Sequence, residues 1–131
     1  MVLRMHHTFG ALIAVQAMHS VEECRGRLWE SYPPAHWVAS LVSSDPARGF
    51  VIGNVVLVAF GMWCFFWPIR QGWATAMSLA WFWVVIEFIN GLAHPLWSIA
   101  QGGYTPGVAT APALLILSIC LAVQLRRRPG A

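Results

Sequence analysis

Four long apolar runs, at about 5–24, 50–68, 73–94 and 107–125, are separated by breaks rich in Pro, Gly and charged residues. Each approaches the roughly 20 residues that carry a helix across a hydrocarbon core. The pattern predicts an all-α fold, an up-and-down bundle of four transmembrane helices in a single domain covering residues 1–131. The first run is the shortest in its apolar core and carries Gln16 and His19. A cleaved signal peptide competes with a retained helix there, with Arg4 as its charged part and Ala14 to Ala17 as a poor cleavage site.

The breaks have their own logic. The stretch from Arg25 to Gly49 contains Pro33, Pro34 and Asp45-Pro46, which rule out one continuous helix. Between them, Trp37, Val38, Leu41 and Val42 fall on one side of a short helix that would lie on the membrane surface, as an anchor or a lid. Ile69-Arg70-Gln71-Gly72 makes spans two and three an antiparallel hairpin. Pro95 predicts that span three stops at His94, and Thr105-Pro106 predicts an N-cap and first helical residue for span four.

Composition agrees with a membrane protein: 58% of residues are hydrophobic and 10% charged, against roughly 25% charged in soluble domains. Its basic residues are all Arg, and Arg126, Arg127 and Arg128 close the chain. That tail reads as a topology signal and a contact for anionic headgroups of the lipid bilayer; no aromatic residues interleave it, which argues against nucleic acid. Arg4, Arg70 and the terminal cluster on one side, against Arg25, Arg27 and Arg48 on the other, place both termini in the cytoplasm. Trp29, Trp37 and Trp97 toward one face, and Trp67 and Trp73 toward the other, form an aromatic belt. Cys24, Cys64 and Cys120 have neither metal-knuckle nor disulfide spacing.

Candidate chemistry starts at Glu87, a carboxylate well inside span three, where insertion costs about 2.5–3.5 kcal/mol. Asn90 and His94 follow on the same helical face. On span one, His19, Glu22 and Glu23 form a second cluster at spacings of three and four. Counting back from a shared membrane face at 1.5 Å per residue puts His19 about 8 Å and Glu87 about 10 Å deep. Span two begins on that face with Asn54 and span four with Tyr104 and Thr110, so the polar groups gather in one half of the bundle, the outer half. His6, His7 and His36 read as interfacial, and Trp81 and Trp83 as packing.

His19-Ser-Val-Glu22-Glu23 resembles the H-x-x-E-E signature of the HXXEE family of small bacterial membrane proteins. Glu87-x-x-Asn90, His94-Pro95 and Thr105-Pro106-Gly107 with Thr110 look similar too. The resemblance implies a bacterial inner-membrane protein and supports these site positions, without naming a substrate.

Three readings follow. In the first, His19, Glu22, Glu23, Glu87 and His94 bind one or two divalent ions, with iron, manganese or zinc suited to carboxylate and imidazole ligands. In the second, Glu87, His19 and Glu23 do metal-free acid–base chemistry, as an isomerase or cyclase would. In both, Asn90, Asn54, Thr110 and Tyr104 orient a lipid-soluble small molecule, and the protein is an integral membrane enzyme. In the third, the cluster is helix–helix glue or a metal-binding site in a non-catalytic accessory subunit beside a partner membrane subunit. Glue alone returns only about 0.6 kcal/mol per interhelical polar pair, little against the cost of inserting several ionisable groups.

Overall fold

The structure, a computed structural model, describes residues 2–127, with side chains from residue 5 onward. It is all-α, 84% helical and without strands among the described residues. Helix α1 spans Val2–Arg25, α2 Leu28–Ser31, α3 Pro33–Val42, α4 Pro46–Cys64, α5 Ala76–Gln101 and α6 Ala111–Arg126. Of the arginines used for orientation, Arg128 and the side chain of Arg4 lie outside the described residues.

The short helix expected between the prolines is present as α3, with Pro33 and Pro34 in its first turn, and is preceded by the one-turn α2, which the pattern did not predict. Trp37, Val38, Leu41 and Val42 are exposed, as the pattern of the sequence requires. Asp45 then caps α4, accepting from the amides of Ala47 (3.0 Å) and Arg48 (3.4 Å), and Pro46 supplies the first helical φ. α3 packs so close to α4 that a Cβ at Gly49 would strike the Ala39 carbonyl. α4 continues into a wider π turn, Phe65–Ile69, where Pro68 lacks an amide to keep the regular ladder.

Two boundaries differ from the sequence pattern. α5 does not stop at His94; it runs through Pro95 to Gln101 and ends at Gly102, whose φ of 69° lies in the left-handed region. An internal proline costs about 3 kcal/mol. Contacts beyond it compensate: Trp97 meets the Tyr32 ring at a tilt, with centroids 5.1 Å apart, and Ser98 hydrogen-bonds Thr105. α6 starts at Ala111, not at Pro106, and Thr105 is not its cap. The amides of Gly107, Ala109 and Thr110 instead donate to Glu22 of α1, so a carboxylate from another helix supplies the negative charge that a helix N-terminus favours.

α1, α5 and α6 make the body of the bundle. Gly91 lets α5 and α6 touch, since a Cβ there would meet the backbone of Leu115. Below the polar end, Phe9, Leu12, Trp83, Leu114 and Leu121 fill a continuous apolar core. Within the described residues, Pro46–Ile69 and Ala76–Gln101 are long and apolar enough to cross a membrane, and Ala111–Arg126 is a shorter apolar helix.

Candidate metal centre

Helix α1 presents Gln16, His19, Ser20 and Glu23 along one stripe, the i, i+3, i+4, i+7 positions, and all four are buried. His94 comes from α5, one turn after Asn90 and two after Glu87. The His19 and His94 rings meet edge to face with centroids 4.6 Å apart. Their Nε2 atoms are 3.2 Å from each other. Both face Glu23 Oε1, at 3.3 Å from His19 and 3.1 Å from His94.

The other nitrogen of each ring fixes the proton. His94 Nδ1 lies 2.8 Å from the Pro106 carbonyl, an obligatory acceptor, so Nδ1 carries the hydrogen. His19 Nδ1 lies 2.7 Å from Thr110 Oγ1, whose single proton goes to Glu22 Oε2 at 2.7 Å; the hydroxyl therefore accepts from His19. With both tautomers assigned from their partners in this way, each imidazole in its neutral form turns an Nε2 lone pair inward. In that form two imidazole lone pairs and a carboxylate oxygen converge with no hydrogen between them. Such a triangle repels itself unless a cation or added protons occupy its centre.

The spacing suits a metal. Nitrogen and oxygen ligands at roughly 2.0–2.2 Å in tetrahedral order stand about 3.3–3.6 Å apart, within a few tenths of the distances here. Nδ1–H bonds to a carbonyl and a hydroxyl are the outer contacts that orient metal-bound histidines. His19, Glu23 and His94 are the group among the described residues whose donor atoms all lie within 4.8 Å of one another.

The first glutamate of the motif does something else. Glu22 Oε1 accepts from the Tyr104 hydroxyl at 2.8 Å and from the amides of Gly107 (3.0 Å) and Ala109 (3.1 Å); Oε2 takes the Thr110 amide (3.0 Å) and hydroxyl. It fastens the α5–α6 loop and, through Thr110, aims His19. Partial burial and the Glu22 carboxylate hold the Tyr104 phenol above its ordinary range. Gly107, at φ 94°, sits under the site, where a Cβ would run into both histidine rings.

Residues 10–122, which include the motif and both histidines, match the family model described as "Protein of unknown function with HXXEE motif". The chain belongs to the HXXEE family. No curated protein and no solved structure matches it. In this HXXEE protein the motif's histidine and last glutamate face the centre, while its first glutamate ties down a loop.

The remaining candidates divide. Glu87 is buried but does not join the triangle; in the amide orientation that satisfies all partners, Gln16 donates to its two oxygens at 2.8 and 3.1 Å and accepts from Ser20, and Asn90 donates at 3.4 Å. Glu87 therefore reaches α1 through Gln16, not through His19, and His94 pairs with Glu23, not with Glu22. Asn54 donates to the Phe50 carbonyl at 3.2 Å and, with Gln16, Glu23, Asn90 and His94, lines a half-open cavity of about 430 Å³ between α1, α3, α4 and α5. Tyr104 is exposed and stands apart from that cavity. Sequence reasoning missed Gln16 as a site residue, although its place seven before Glu23 puts it on the same stripe. It also missed the Pro106 carbonyl, which no side-chain pattern announces.

Proposed function

We propose that this HXXEE protein is an integral membrane enzyme that holds one divalent ion with His19, Glu23 and His94 and works on a lipid-soluble molecule in the adjoining cavity. The observation that carries the reading is the convergence of three lone pairs, each held by a partner on its far side. Helix glue built of neutral groups would pair donors with acceptors, as Gln16 and Glu87 do; here glue would need an extra proton on one ring to make an ion pair with Glu23, and metal content separates the two readings. Two imidazoles and one carboxylate suit zinc, iron or manganese. A second ion lacks support, because Glu22 is saturated by loop donors and Glu87 by amides.

A bound ion would polarise a carbonyl or acidify a bound water, the usual service of a three-ligand centre with an open position. This chain's own residues would do the rest. His94 and Glu23 border the cavity, so an ion held by them would lie beside whatever fills it; Thr110 and Pro106 keep both rings in the tautomer that leaves Nε2 free to bind. Asn54 and Asn90 offer amides to a polar group of the substrate, and Glu87, one hydrogen bond behind Asn90, is placed to orient it.

Around the site we place a four-span bundle in a bacterial inner membrane, both termini cytoplasmic and the centre in the outer half. The apolar exposure of Val55, Val56, Val85, Ile89 and Ile116 on α4, α5 and α6 supports the membrane placement, and the arginine distribution carries the orientation. Elemental analysis of protein purified in mild detergent tests the centre. One equivalent of metal is expected, lost in His19→Ala and kept in Glu87→Gln. Folded protein without stoichiometric metal after metal-replete growth overturns the metal reading in favour of acid–base chemistry or glue.

A further inference from the structure

The cavity has a polar end and an apolar mouth, and the two together constrain what enters. Its inner end carries Glu23, His94, Asn90 and Asn54. The mouth is formed by Val38, Val42 and Ile89, which line the cavity yet are 53%, 49% and 58% exposed. Val38 and Val42 stand on α3 and Ile89 on α5, and Val55, Val56, Val85 and Phe88 of α4 and α5 are exposed as well. The opening is thus bordered by the same surface that would face acyl chains. A water-borne polar solute would have to cross that surface; a lipid-soluble one already lies against it.

We infer that the occupant is a single-chain amphiphile that slides in sideways from the bilayer beneath α3, oxygen-bearing head first, with its chain trailing past Val38 and Ile89. A volume of about 430 Å³ is at the small end of the roughly 300–1,000 Å³ typical of ligand sites, which fits one chain segment and excludes a whole two-chain phospholipid. The head meets two amides and the centre's open side, so a carboxylate, amide or alcohol matches the donors and the cation expected there. The inference rests on the membrane placement and the metal centre proposed above.

Gly53 supplies the means of testing it. It lines the cavity, and a Cβ there meets nothing within 4 Å, so a large side chain can grow into the space without striking backbone. A fatty acid carrying a diazirine at its chain end is reconstituted with the protein in nanodiscs, cross-linked by light and mapped by mass spectrometry, with metal content measured on the same samples. Adducts are expected at the mouth, on α3 and around Ile89. They should fall by about tenfold in Gly53→Phe, and equally in Val38→Trp, whose exposed position leaves folding untouched. A diacyl phospholipid bearing the same label should spread over the outer surface and ignore both substitutions. Fatty-acid adducts spread in that way, or unchanged in both variants, overturn the inference even where metal is bound. Adducts at the mouth on a metal-free protein sustain it and sink the metal reading instead.

Discussion

The two ends of the bundle bury side chains for different reasons. At one end Phe9, Leu12, Trp83, Leu114 and Leu121 are closed off from solvent, and Phe9 meets the Trp83 ring edge to face at 6.4 Å. Each such contact adds to stability in its own right. At the other end Gln16, His19, Glu23, Glu87 and His94 are also buried, but burial there costs free energy, which the triangle recovers only with a proton or a cation between its three acceptors. The difference teaches that burial at this end depends on what occupies the triangle, which in the reading proposed above is a metal ion. Substitutions should separate the two ends: one set changes folding and spares binding, the other does the reverse.

The largest effect is expected at the polar end. Glu23→Gln and His94→Ala should each weaken metal binding by more than about 100-fold, since even outer-shell partners are worth 10- to 100-fold. Apo Glu23→Gln should melt no lower than metal-stripped wild type, because a buried carboxylate has been neutralised, whereas apo His94→Ala should melt lower, because the Pro106 carbonyl loses its donor. Chelator should lower the wild-type melting temperature and leave both variants where they are. A variant that keeps stoichiometric metal would show that the triangle is not the ligand set.

Next in size is the apolar end. Trp83→Ala should cost about 3–5 kcal/mol of stability by leaving a cavity among Phe9, Phe60 and Gly61, while the fraction that folds binds metal with unchanged affinity. Titration of the folded fraction separates the two quantities. A drop in affinity matching the drop in stability would mean that the ends are coupled.

Thr110→Val is a smaller and sharper cut, because it removes the acceptor of His19 Nδ1 and one donor to Glu22 while keeping shape. Metal affinity should fall by about 10- to 100-fold with stability down by about 1 kcal/mol. Thr110→Ser should restore affinity, which a purely structural role of the side chain would not predict. The smallest effect belongs to Gln124, which reaches across the apolar end to Thr8 at 2.9 Å. Gln124→Leu should stay within about 0.5–1 kcal/mol of wild type and leave metal content untouched.

Much of the polar end could be read in advance because α1 and α5 are regular helices. Helical spacing put His19 and Glu23 on one stripe and Glu87, Asn90 and His94 on another, and matched depths brought the stripes together. What spacing could not tell is which carboxylate goes where. Glu22 and Glu23 are neighbours in sequence and stand about 100° apart around the helix. Only the path of the α5–α6 loop decides that Glu22 meets backbone amides and Glu23 meets histidines. Depth alone likewise placed Glu87 with His19, whereas Gln16 intervenes. Pro95 misled for a related reason: a local rule ended the helix, and contacts made by Trp97 and Ser98 after it carried the helix on.

The centre draws on the first helix, the fifth and the turn before the last, and this ordering governs its birth. While α1 is alone, Glu22 and Glu23 are two adjacent anions with no loop to receive one of them. His94 arrives only after α5 has been synthesised, and the Pro106 carbonyl and Thr110 hydroxyl, which choose the histidine tautomers, arrive later still. No earlier stage of translation holds the complete set of groups, so an ion bound as proposed would not be captured by the growing chain. Its loading would belong to the finished bundle, after the α5–α6 loop has folded onto α1.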